Sequence, residues 1–234
     1  MNRIFSVVRM QFVNTQTYLW IPLMVLGGAF VISLAIWGIV TQATNGVEIT
    51  LYTGGAQAPM WYFLVVGVQA LTLAFPFSQA MSVTRREFYL GTLLTAAITS
   101  AGLAVIYVVM GIVEIATGGW GMNASFFALQ PLWDSASPLL MGLFFFVLSL
   151  LFFVIGFWAA SLYKRFGATW LTIILVGLGL LMVGAVWIIT RANAWAQLGT
   201  WFGSLGVGGT TLLMAVIGAA LALIAFPTLR RTLP

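Results

Sequence analysis

Six long apolar runs, each followed by a short and more polar connector, constrain this chain more than any other feature. A helix needs roughly 20 apolar residues to cross the hydrocarbon core of a bilayer. The runs fall at residues 18–40, 61–81, 91–116, 138–162, 169–190 and 206–228. They are continuously apolar rather than alternating, which excludes a membrane β-barrel. Only 6% of the residues are charged and 62% are hydrophobic, so this chain cannot cover itself with a water-soluble surface. The sequence predicts an all-α, polytopic membrane protein with six transmembrane helices, in a single domain over residues 1–234. No connector is long enough to form a soluble domain.

The few charges set an orientation. With the N-terminus inside, Arg3, Arg9, Arg85, Arg86, Lys164, Arg165, Arg230 and Arg231 are cytoplasmic, and Arg191 alone is outside. Positive charge retained on the inner side is the main determinant of topology, so both termini are expected in the cytoplasm. The basic residues are thus read as orientation signals, and no nucleic-acid partner is expected. The first apolar run lacks a small-residue cleavage site and reads as an uncleaved span. Ahead of it, within residues 1–17, Ile4, Phe5, Val8 and Phe12 share one side of a helical wheel. Arg3, Ser6 and Arg9 lie opposite, the pattern of an amphipathic helix in the inner interface.

Most site chemistry is excluded by absent residue types. There is no histidine and no cysteine, which removes thiolate and imidazole metal sites, thiol nucleophiles and histidine bases. No metal site is expected. The four carboxylates are Glu48, Glu87, Glu114 and Asp134. The single lysine, Lys164, stands in Tyr163-Lys164-Arg165-Phe166, so no phosphate-cradling G-x-x-x-x-G-K-[ST] loop exists. The chain is expected to be non-catalytic; if ATP drives it, another chain binds the nucleotide.

Within the spans, polar groups are rare. Glu114 is the one carboxylate inside a run. It serves a substrate path or structural hydrogen bonds, or else it reaches the outer headgroups from the end of its span. Gln69, Thr72 and Gln79 in the second run are candidates for a substrate path or for helix–helix hydrogen bonds. Glycines 177, 179, 184, 208, 209 and 218 in the last two runs suggest close helix packing, and Pro76 a kink. Tryptophans near the span ends form an aromatic belt. The segment from Trp120 to Trp133, with Phe126-Phe127, is apolar for a loop and is expected to lie on the outer interface or cap a cavity.

The short inner connector carries the densest signal. It reads Ser82-Val83-Thr84-Arg85-Arg86-Glu87-Phe88-Tyr89-Leu90-Gly91. Thr84 and Glu87 fit a T-x-x-E capping box, which predicts a helix starting at Arg85. Paired cations beside two aromatics suit docking of a cytoplasmic partner; equally, they suit a capped turn whose arginines only set topology.

This run, continued through Thr92-Leu93-Leu94, resembles the loop after the second span in ABC transporter permeases of the ABC-2 export type. That family often reads Gly, an aliphatic residue, Ser or Thr, Arg, Arg, then an aromatic and a Gly. The chain departs from it at Ser82, where the family commonly has Gly. Six spans, cytoplasmic termini, an amphipathic start and no ATPase domain also match. The abundance of Trp, Ala and Gly is similar to that of actinobacterial members.

The resemblance implies a bacterial plasma-membrane permease without cofactors of its own, coupled to two copies of a separate ATPase that binds ATP and Mg. A second permease copy or paralogue completes the assembly in the lipid bilayer. Ser82, Val83, Thr84, Arg85, Arg86, Glu87, Phe88 and Tyr89 would then be coupling residues. The apolar walls suit export of a hydrophobic or amphipathic substrate. The alternatives are a membrane scaffold or assembly factor using the same loop, or a haem-exporter-like permease.

Overall fold

The computed structural model describes residues 3–44 and 50–230. Of the residues used above, Glu48 and Arg231 lie outside them. A short helix α1 (Arg3–Val13) leads through a π-helical turn, Gln16–Trp20, into α2 (Ile21–Ala43). After β1 (Leu51–Tyr52) the chain returns through α3 (Ala58–Gln69), a second π turn at Ala70–Ala74, and α4 (Phe75–Ala80). Then follow α5 (Arg85–Ala116), β2 (Ala124–Ser125), α6 (Gln130–Trp133), α7 (Pro138–Arg191) and α8 (Trp195–Arg230). Five of these helical stretches are long and apolar enough to cross a membrane.

The fourth stretch, α7, spans 54 residues. A straight helix of that length would run about 81 Å, far beyond a hydrocarbon core of about 30 Å. It is broken at Gly167, whose φ of 82° and ψ of 175° are non-helical and suit a residue without a Cβ. The two pieces coincide with the fourth and fifth apolar runs. The last run also starts at a break: Gly206 interrupts α8 with φ 58°. The chain between residues 195 and 205, expected as connector, is instead helical: it holds no proline, and Gly199 and Gly203 stay within the helix.

Both π turns precede a proline, Pro22 or Pro76. A proline ring clashes with the carbonyl four residues back and offers no N–H. The widened turn moves that carbonyl aside, so each helix continues past its proline.

The core is built where helices approach backbone to backbone. A Cβ on Gly67 would run into the main chain of Phe153, and one on Gly156 into that of Leu64, so α3 and α7 touch at these glycines. Gly91 of α5 seats Val7 of α1, and Gly111 seats the Trp133 ring. Phe63, Leu71, Phe75, Phe88, Tyr107, Phe153 and Phe157 fill the space between. The glycines expected to pack helices do not do so within this chain. Gly177, Gly179 and Gly184 have no neighbour where a Cβ would stand, and Gly208 and Gly218 meet only ordinary side-chain contacts. Among the described residues, none from Tyr163 to Gly206 is buried.

Helix α1 packs on the bundle through a face next to its apolar stripe, sharing Val8 with it. Val7, Val8 and Gln11 are buried, whereas Phe5 is 61% exposed. The Gly91 notch on α5 takes Val7, and this rotates the helix about its axis.

Candidate functional site

The turn between α4 and α5 is specified by two local motifs back to back. At the end of α4, Val83 N–H donates to the Ser78 carbonyl at 3.1 Å and Ser82 N–H to that of Gln79 at 3.0 Å. This is a Schellman stop, which needs a left-handed residue just after the cap. Ser82 supplies it with φ 57°, the conformation that glycine adopts without cost. Gln79 closes the same turn, its Nε2 donating to the Val83 carbonyl at 3.1 Å.

One residue later the capping box is complete. Glu87 N–H donates to Thr84 Oγ1 at 3.3 Å. The Thr84 N–H and hydroxyl donate to Glu87 Oε2 at 3.0 and 2.7 Å. The helix start at Arg85 is as the sequence predicts.

Three other parts of the chain converge on this turn. Arg3 of α1 lies 3.9 Å from Glu87 Oε1. Arg85 donates from Nη1 to the Leu229 carbonyl near the end of α8 at 3.2 Å. Lys164, just before the α7 break, stands 5.5 Å from the Phe75 ring centre. The basic residues on α1, at the turn and beside Gly167 thus gather, with the close of α8, at one end of the bundle, here called the basic end.

The eight residues of the loop divide by exposure. Ser82, Thr84 and Arg86 are exposed; Val83, Arg85 and Glu87 are half-buried. Phe88 and Tyr89 turn inward. Phe88 packs edge-on to Phe75, with ring centres 5.1 Å apart. Tyr89 donates its hydroxyl to the Ala222 carbonyl of α8 at 2.6 Å and packs on Phe157 of α7. Those two side chains therefore offer no surface to a partner; they tie the start of α5 to α4, α7 and α8.

The remaining candidates do not join them. Glu114 lies at the opposite end of α5, about 40 Å away along the helix, and is only 2% exposed. Its carboxylate accepts the backbone N–H groups of Phe126, Phe127 and Ala128 at 2.9–3.0 Å. It also accepts Trp120 Nε1–H at 2.7 Å. Trp120 and Asn123 have left-handed backbones amid Gly118, Gly119 and Gly121. The carboxylate pins this coiled segment, and β2 then pairs in parallel with β1. The segment caps a cavity of about 340 Å³ lined by Phe126, Phe127, Met141 and Phe145. Glu114 is thus engaged in structural hydrogen bonds and does not reach toward headgroups.

Thr72 donates to its own helix, to the Val68 carbonyl at 3.0 Å. Gln69 closes α3 and lines a pocket shared with α1. The sequence reading missed Gln11, which is buried and donates from Nε2 to Thr92 Oγ1 at 2.7 Å. Its signal was a glutamine on the stripe 4, 7, 8, 11. Among the described residues no cluster of acidic side chains could hold a metal.

No family model, no curated protein and no solved structure matches this chain.

Proposed function

We propose that this chain is the membrane-spanning permease of an ATP-driven exporter of the ABC-2 type. Its two α7 pieces each count as a span, giving six, with both termini and the basic end in the cytoplasm of a bacterium. ATP and Mg belong to a separate ATPase present in two copies, and this chain catalyses nothing. A second copy or paralogue pairs with it; the uncovered helix after Gly167 leaves room for such a neighbour. The cargo is hydrophobic or amphipathic, in keeping with walls that carry few polar groups.

The observation that carries this reading is the construction of the α4–α5 turn. Arg86 and Thr84 stand exposed on a turn whose shape is locked by its own hydrogen bonds. The next two side chains, Phe88 and Tyr89, are fixed in the core against three other helices. A push on the exposed part has no soft element to absorb it and moves α5 and its neighbours together. That is what a coupling element requires: contact outside, rigid linkage inside.

The test is purification in mild detergent together with its bound chains, followed by reconstitution. The reading expects a P-loop ATPase in equal number and ATP-dependent movement of an amphipathic cargo. A bound ATPase without flux would favour the scaffold alternative, and no ATPase at all would end the proposal.

A further inference from the structure

A pocket at the basic end, largely apolar but with amides and hydroxyls in its wall, lies apart from the coupling turn. It has a volume of about 320 Å³ and sits between α1, the first π turn and the second π turn. That is room for about ten water-sized groups. Gln11, Asn14, Thr17, Tyr18 and Gln69 contribute amides and hydroxyls to its wall. Leu73 and Phe77 form an apolar side. Among the described residues no charged side chain lines it.

Three independent features meet here. First, both interruptions of the spans border the same space: Thr17 and Tyr18 belong to one π turn, Leu73 and Ala74 to the other. Such turns are frequent at functional sites. Each precedes a proline, which withholds one N–H from the helix. Second, Gln11 is 3% exposed and its Oε1 has no hydrogen-bond partner. A buried amide oxygen left unpaired is costly, so it marks a place where a partner is gained. Third, polar groups line this wall where lipid-facing helix surface would be apolar.

We infer that this pocket binds an uncharged, hydroxyl-bearing amphiphile, its head among Gln11, Asn14 and Gln69 and its chain along Leu73 and Phe77. A hydroxyl both donates and accepts. It therefore pairs with the amides of Asn14 and Gln69 in either orientation and, once the Gln11 side chain rotates toward the pocket, with the Gln11 amide as well. An anionic head finds no cation in the lining, and desolvating it there is unfavourable. The inference rests on the chain lying in a membrane and is independent of any ATPase.

The experiment is native mass spectrometry of the full chain in detergent, titrated with monooleoylglycerol, oleate and methyl oleate. These probes share one chain and differ in the head. Monooleoylglycerol is expected to bind at least tenfold more tightly than either of the others. Gln69→Leu, which leaves the Gln11–Thr92 bond in place, should weaken it tenfold or more without changing the unfolding temperature. If Gln69→Leu does not fold, Asn14→Ala carries the same expectation. Equal binding of methyl oleate, tighter binding of oleate, an unaffected variant, or a pocket that takes up only water would each overturn the inference.

Discussion

The two ends of the bundle are held by opposite means. At the Glu114 end, one buried carboxylate gathers three backbone N–H groups and an indole over a segment of glycines and left-handed residues. Removing that one group strands several buried donors at once. At the basic end, two local turn motifs fix the chain, and separate long-range ties join it to other helices, among them the Arg85–Leu229 and Tyr89–Ala222 hydrogen bonds and the Arg3–Glu87 pair. Each can be lost without stranding the others. The first end is a lid fastened at one point. The second is a set of rigid pieces joined by separable links, which is the more suitable place for a partner to act.

The difference gives a ranked set of expectations. Glu114→Ala should be the most damaging change. It leaves three buried N–H groups without an acceptor at about 1–3 kcal/mol each. The folded protein should be barely recoverable from detergent, with Glu114→Gln intermediate because one acceptor oxygen remains. Thermal unfolding at the wild-type midpoint in Glu114→Ala would remove the lid from the account. Next, amide exchange should be slower at Phe126, Phe127 and Ala128 than at Ser82–Arg86, since the first set donates into a buried site. The opposite order would invert the comparison.

Thr84→Ala should cost about 1 kcal/mol through loss of the helix cap, with the bundle still folded. Urea or heat titration of the purified protein would read it. Smallest is Ser82→Gly, expected to stabilise by a few tenths to about 1 kcal/mol by relieving the left-handed strain. A loss of stability there would show that the Ser82 side chain has a role of its own.

Several features were legible in the residues and several were not. Continuous apolar runs give the helices, because helix length and hydrophobicity are local properties. The capping box is also local, and Thr84 and Glu87 declare it. Ser82 was legible only as a departure from a pattern; the turn shows that the position is left-handed. The partners of Glu114 were hidden, since they are backbone groups 12 to 14 residues away and carry no side-chain signature. Which residues of α1 enter the protein was not legible, because a notch at Gly91, not hydrophobicity alone, decides that Val7 does. Composition likewise cannot tell the packing glycines, Gly67 and Gly156, from those that face outward.

The central claim is that the α4–α5 turn receives a partner on its exposed cation. The direct measurement is the affinity of the purified chain for the ATPase proposed to bind it, before and after Arg86→Glu, with the unfolding temperature as a control. The account predicts at least a tenfold loss of binding, and of ATP-driven flux, in a protein that unfolds at the same temperature. Unchanged binding and flux in the folded variant would contradict it.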